Sequence, residues 1–133
     1  MIYAQFDFLW LGIALVGGLL LGSLFSSNRK VDMSKIAGLS KKDFLDTKRM
    51  GTLVDVRSEK LFEDGKIVGA KNLPNKSGAK SSQVRKDIPI FIYDENGKRA
   101  LNIAKAYVKA GAEMVYYLKG GYQSFIKGED DVK

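Results

Sequence analysis

Hydrophobic and polar residues alternate differently in the two parts of this chain. From Phe8 to Phe25 the sequence FLWLGIALVGGLLLGSLF holds eighteen residues without a charge. As a helix it would be roughly 27 Å long, close to the roughly 30 Å hydrocarbon core of a bilayer. After residue 28 the apolar residues come in short runs between polar punctuation. Ser40 followed by Asp43 predicts a helix opening near Lys41, carrying Phe44 and Leu45 and stopping at Gly51. Thr52–Val56 reads as a buried strand, and Ser58 as the cap of a brief helix through Leu61 and Phe62 that Gly65 closes. Ile67–Leu73 returns extended, with a turn at Gly69, and a short helix is predicted over residues 79–86. Ile90–Tyr93 is the next buried strand, with Pro89 at its start. Arg99–Ala110 has helical spacing, with Leu101, Ala104 and Val108 on one face and Ile103, Tyr107 and Ala110 beside them, and Gly111 follows as a helix stop. Met114–Leu118 is a third strand, and Gly120-Gly121 turns into a last short helix through Phe125 and Ile126.

Short apolar strands alternating with helices predict an α/β fold, a parallel sheet covered by helices on both faces. The expected organisation is a membrane-spanning segment over residues 1–27, a linker over 28–38, an α/β domain over 39–127 and a polar tail over 128–133.

Charge divides the chain in the same place. The first 25 residues carry only Asp7, and all 22 basic residues lie after residue 28. Trp10, with Tyr3 and Phe6 nearby, suits an interfacial belt, while Arg29, Lys30, Lys35, Lys41 and Lys42 follow the apolar run. The positive-inside rule then gives a single-pass span with its amino terminus outside and the α/β domain in the cytoplasm. A cleaved signal peptide is the weaker reading: the run is long, no basic residue precedes it, and Ser23–Ser27 offers no small-x-small cleavage pattern. A buried soluble helix is weaker still, because the run is apolar all round. Ala14, Gly18 and Gly22 share one helix face at a spacing that lets backbones approach, which allows self-association. Glycine and alanine are also simply common in membrane spans.

Beyond the apolar run there are 22 basic and 14 acidic residues, a formal charge of +8. The lysines are scattered and no aromatic-basic stacking pattern accompanies them, so nucleic acid is not the expected partner. A domain held beside an anionic leaflet gains from such a charge. The chain has no cysteine and no histidine. That removes disulfides, thiol catalysis, thiolate metal sites, the usual general base at neutral pH and the commonest metal ligand.

Three stretches carry a family resemblance. They are Leu53-Val54-Asp55-Val56-Arg57 with Gly65-Lys66-Ile67-Val68-Gly69-Ala70-Lys71-Asn72-Leu73-Pro74, then Pro89-Ile90-Phe91-Ile92-Tyr93 with the loop after it, and Met114-Val115-Tyr116-Tyr117-Leu118-Lys119-Gly120-Gly121-Tyr122. Together they resemble the rhodanese-like (sulfurtransferase) domain over residues 39–127. The resemblance implies a parallel sheet flanked by helices. It also implies a short loop after the central strand that opens with a persulfide-carrying cysteine. Here Asp94 stands at that position, followed by Glu95, Asn96, Gly97, Lys98 and Arg99. Lys66 stands where the family often has histidine, and Phe125 where it often has tryptophan.

In an open α/β sheet, ligands sit at the carboxyl ends of the strands, and the 94–99 loop lies there, at the amino terminus of the Arg99 helix. Unpaired N–H groups and the helix dipole make an anion cradle, and Gly97 permits the curl. In the family this cradle is read as holding the thiolate. A carboxylate can accept the same N–H bonds, but it cannot carry a sulfane sulfur, and with Glu95 it should repel small anions. The plain alternative is that Asp94 caps the loop or helix, as aspartates in turns do. An aspartate nucleophile needs a metal or acid partner. None is identified, so neither a metal nor a cofactor is assigned to Asp94 and Glu95. The resemblance makes Asp55 and Arg57 supports of the loop. Arg57 is expected to brace a turn bidentately, the alternative being a pair with Asp94.

The expected function is therefore a membrane-anchored rhodanese-like domain without its nucleophile, serving as a binding or scaffolding module for a membrane or cytoplasmic protein or a small polar ligand. Two other readings stand beside it. One is an enzyme, either a sulfurtransferase given its thiol by a partner or a hydrolase using Asp94. The other is a passive cytoplasmic cap on a helix whose real partner lies in the membrane.

Overall fold

The apolar runs of the sequence become the middle of a parallel sheet. The computed structural model describes residues 30–127. Its five strands are β1 (Ile36–Leu39), β2 (Thr52–Asp55), β3 (Lys71–Asn72), β4 (Ile90–Tyr93) and β5 (Val115–Leu118), in the spatial order β1-β5-β4-β2-β3. Every pairing is parallel, with Ile36 opposite Val115, Ile90 opposite Val115 and Thr52 opposite Ile90. Three helices lie between strands, α1 (Lys41–Thr47), α2 (Glu59–Asp64) and α3 (Ala100–Lys109), and α4 (Gly121–Ile126) follows β5. Three-residue or four-residue 3₁₀ turns lie at Met33–Lys35, Lys48–Met50 and Ser77–Lys80.

β4 runs through the centre, and all four of its residues are buried. Its alternation splits the core in two. Ile90 and Ile92 join Val54, Val115, Ile103, Ala104 and Tyr107 on the face that α3 covers. Phe91 and Tyr93 join Phe44, Leu53, Ile67 and Leu118 on the opposite face, under α1 and α4. A strand apolar at every position is what two covered faces require. Each fully buried Ile or Phe contributes about 1.5–3 kcal/mol relative to exposure.

Local signals set most boundaries. The Ser40 hydroxyl accepts from the Asp43 N–H at 3.3 Å to start α1, and the Ser58 hydroxyl accepts from the Leu61 N–H at 3.4 Å to start α2. Gly111, at φ +109°, ends α3.

Four expectations are corrected. Residues 36–38 do not finish a linker, because Ile36–Leu39 is an edge strand held along its length by β5. The helix expected over 79–86 is replaced by the 3₁₀ turn Ser77–Lys80. Ile67–Leu73 is extended only at Lys71–Asn72, since the chain turns at Gly69, φ +90°. On α3 the buried residues are Ala100, Ile103, Ala104 and Tyr107, and Leu101 and Val108 are only half-buried. The apolar run Phe8–Phe25 lies outside the described residues. Among the described residues, no helix is long and apolar enough to cross a membrane.

Tyr107 carries an unsatisfied polar group into this packing. Its ring is fully buried, and its hydroxyl meets no hydrogen-bond partner among the described residues. Burial pushes the phenol up from 10.0 to about 12. The folded state therefore holds this proton more tightly than the unfolded chain. The resulting stability is complete below pH 10 and is lost as the pH rises through about 12. Tyr107→Phe removes an unsatisfied donor while keeping the ring. It should hold or raise stability at pH 7, by up to about 1 kcal/mol, and soften the alkaline loss. Urea unfolding at pH 7 and above pH 10 checks both, and a loss above about 1 kcal/mol at pH 7 would show that the hydroxyl has a partner.

Candidate functional site

The loop between β4 and α3 closes on one carboxylate. Asp94 leaves the carboxyl end of β4 and is 3% exposed. Its Oδ1 accepts from the Gly97 N–H at 2.7 Å, and its Oδ2 accepts from the Arg99 N–H at 2.8 Å and the Ala100 N–H at 3.2 Å. The residue preceding α3, Arg99, makes no side-chain cap of its own. Asp94 supplies that cap from five and six residues upstream, placing its negative charge at the positive end of the α3 dipole. Asn96 adds a smaller turn, its Oδ1 accepting from the Lys98 N–H at 3.0 Å.

Two glycines make this closure possible. Gly97 sits at φ +85°, and a side chain there would press on the backbone of Gly120. Gly121, at φ +64°, lies against the backbone of Asp94, Glu95 and Asn96, leaving no room for a Cβ. The first amides of α4 use that proximity. The Tyr122 N–H donates to the Asp94 carbonyl at 2.7 Å, and the Gln123 N–H donates to the Glu95 carbonyl at 2.9 Å. The loop's carboxylate is thus satisfied by α3 and its first carbonyls by α4.

Arg57 ties this loop to the rest of the sheet end. Its Nε lies 3.1 Å from each Asp55 oxygen, and its Nη2 donates to Asp55 Oδ2 at 2.8 Å. Nη2 also donates to the Gly65 carbonyl at the end of α2, and Nη1 reaches Glu95 Oε2 at 3.1 Å. The guanidinium lies over the Tyr122 ring, 4.0 Å from its centroid. Asp55 is fully buried, and it also accepts from the Arg57 N–H at 2.8 Å. Burial works against the charge on Arg57, but the bonds to Asp55 and Glu95 outweigh it and raise its pKa above the ordinary arginine value. Nearby, burial likewise pushes the Tyr93 phenol up, and its oxygen accepts from the Ile67 N–H at 3.1 Å.

The residues singled out in the sequence therefore meet at one end of the sheet, in a different partnership from the simplest one. Arg57 pairs with Asp55 and Glu95, and Asp94 is left to the backbone. Asp94 is buried on backbone amides, and Glu95, half-buried, is held by Arg57. Lys98 and Arg99 are exposed, and neither forms an ion pair among the described residues. A cleft of about 300 Å³ opens here, with Arg57, Ser58 and Leu61 on one side and Asp94–Asn96 and Arg99 on the other. Among the described residues, no group of three or more acidic side chains is placed to hold a metal ion. The Gly65 carbonyl and the Tyr122 ring were not legible as partners of Arg57. The Gly-Gly-Tyr sequence was the available signal, since two glycines before an aromatic mark a close backbone approach.

Arg57→Ala would leave Asp55 buried without its counter-charge and should destabilise the chain by about 3–5 kcal/mol. Arg57→Lys should recover little of this, because an ammonium cannot make the forked contact. Chemical denaturation of the three proteins checks this, and an unchanged midpoint for Arg57→Ala would contradict the bracing role.

Comparison with known proteins agrees with this fold. The rhodanese-like domain family matches residues 40–127. The chain is 33% identical over 88 residues to the uncharacterized protein YqhL of Bacillus subtilis, covering 65% of this chain and 70% of that one. It is 32% identical over 78 residues to the thiosulfate sulfurtransferase GlpE of Glaesserella parasuis, covering 58% of this chain and 72% of that one. The solution structure of the rhodanese-like domain from the Anabaena sp. Alr3790 protein matches with a TM-score of 0.60 at 25% identity, covering 66% of this chain and 71% of that one. The family match takes in the helix that Ser40 caps, the Asp94 loop and α4. From Ser40 to Lys127, this chain belongs to the rhodanese-like domain family.

Proposed function

We propose that the chain is a membrane-anchored, non-catalytic rhodanese-like module at the cytoplasmic face, which binds a protein or small polar partner at the 94–99 loop. The observation that carries this reading is the Asp94 carboxylate seated on three backbone amides. In the family reading those amides hold a cysteine thiolate. Here the anion is built in, it is oxygen rather than sulfur, and the chain has no cysteine to replace it. A carboxylate cannot take up and release a sulfane sulfur, so sulfur transfer by the family route has no carrier.

What remains at the mouth of the cleft suits recognition. Leu61 is an exposed apolar contact, and Arg99 offers an exposed guanidinium for a carboxylate or carbonyl. The bonded frame of Asp55, Arg57, Asp94 and Glu95 keeps the cleft in one shape, which lowers the entropy cost of binding. The uncharged run Phe8–Phe25, followed by Arg29 and Lys30, supports the anchor and its orientation. Anchoring raises the local concentration of the module for partners held at the same membrane.

The full chain, purified in detergent, should transfer sulfur from thiosulfate to cyanide no faster than buffer does. Turnover above that background would overturn the reading. Asp94→Cys should take up sulfur from thiosulfate as a persulfide, seen as an added sulfur by mass spectrometry, because the amide ring remains to stabilise the anion. An unmodified thiol would contradict the assignment of those amides as the family's anion cradle.

A further inference from the structure

A groove runs between the 3₁₀ turn Ser77–Lys80 and the last turn of α3, on the face of the sheet that α3 covers. It holds about 450 Å³, more than the 94–99 cleft, and the two share no lining residue. Ala79 is buried and Ala106 and Ala110 are half-buried, so their methyl groups form its floor. Lys76, Lys80 and Lys109 are exposed and stand at its rim.

The turn is fixed from below. Gly78 is buried, and a Cβ there would collide with the Tyr107 hydroxyl and press on Leu73. The Ala79 N–H donates to the Lys76 carbonyl at 3.1 Å, and the Ser81 N–H donates to the Gly78 carbonyl at 3.2 Å. The groove is therefore formed before anything fills it, which lowers the cost of binding.

Charge here is one-sided. The two segments that build the groove, residues 74–83 and 102–111, contain Lys76, Lys80, Lys105 and Lys109 and no acid. Extending them through residues 84–87 and 112–113 adds Arg85, Lys86, Asp87 and Glu113, two bases and two acids, so the surplus of four is unchanged. None of Lys76, Lys80 and Lys109 forms an ion pair among the described residues.

Three features narrow the occupant. The groove is open along one side, whereas a small-molecule site encloses most of its ligand. Its apolar surface is recessed below the lysines, whereas binding to a bilayer uses apolar side chains that protrude. No aromatic ring lines it, so a nucleic-acid base has nothing to stack on. An extended peptide with carboxylates on both sides of an aliphatic residue meets all three conditions and complements the charge.

We propose that this groove is a second binding surface, which takes an acidic segment of a partner protein. An aliphatic side chain of that segment sits on Ala79, Ala106 and Ala110, and its carboxylates pair with Lys76, Lys80 and Lys109. The inference needs neither the 94–99 cleft nor the membrane anchor.

The full chain in uncharged detergent would be titrated into a rhodamine-labelled peptide, Gly-Asp-Glu-Leu-Glu-Asp, with binding read by fluorescence anisotropy. Glycine in place of the peptide's leucine should weaken binding about fivefold, which tests the floor without altering the protein. Lys76→Glu/Lys109→Glu should weaken it about tenfold or more. Lys42→Glu/Lys60→Glu makes the same charge change on exposed residues outside the groove and should stay within about twofold of the native chain. No binding by the native chain, equal weakening by the two double variants, or a glycine peptide that binds equally well overturns the groove. So does an oligouridylate that competes as well as the unlabelled peptide. Weakening by Arg99→Gln in place of the groove variants moves the peptide to the 94–99 cleft and overturns it too. If a chain ending at Lys127 binds the peptide and the full chain does not, the groove belongs to the acids of residues 129–131, and the partner assignment falls.

Discussion

The carboxylate of Asp94 is the contact on which this end of the molecule depends. β4 delivers it to the start of α3, where helix geometry leaves amides without partners. Three of those loop and helix amides converge on its two oxygens. A buried charge is costly unless hydrogen bonds replace its water. Here the replacement is backbone, fixed by the fold and independent of any mobile side chain. The same bonds decide the path of the loop, because Gly97 must take φ +85° to bring its N–H round to Oδ1.

Around that carboxylate the fold builds a second layer. Arg57 links four segments: the end of β2 through Asp55, the end of α2 through the Gly65 carbonyl, the loop through Glu95, and α4 through the face of Tyr122. Bidentate, stacked arginine is suited to such a junction, since one planar group satisfies several directions at once. Gly120-Gly121 completes it by letting α4 approach the loop backbone. In the proposed reading, this frame has outlived the chemistry it once served. On that reading the amides that hold the Asp94 carboxylate would once have held a sulfur anion.

Much of this was legible in sequence where burial is uniform. β4 is apolar and buried at every position, and β2 and β5 each hold apolar residues that a sheet covered on both faces demands. The capping serines 40 and 58 marked helix starts because their hydroxyls have a defined partner three residues on. β1 was not legible, because Ile36–Leu39 is four half-buried residues whose strand character comes from pairing with β5. The stretch 79–86 failed for a related reason. Ala79 and Val84 are buried as isolated anchors under α3, with no periodic face between them. Orientation on α3 was off by part of a turn, since Tyr107, although polar at its tip, points inward and Leu101 does not. At the site, the sequence named the loop and its supporting pair. It could not assign partners, because Glu95, Asp94 and Asp55 are equivalent acceptors until tertiary distances choose among them.

Amide hydrogen exchange at Gly97, Arg99 and Ala100 tests the central contact most directly. If the Asp94 carboxylate holds these three N–H groups, they exchange slowly in the native chain. In Asp94→Ala, exchange at these positions should be at least about tenfold faster, while the β4 amides stay protected. Free exchange at these positions in the native chain, or protection unchanged by the substitution, would contradict the account.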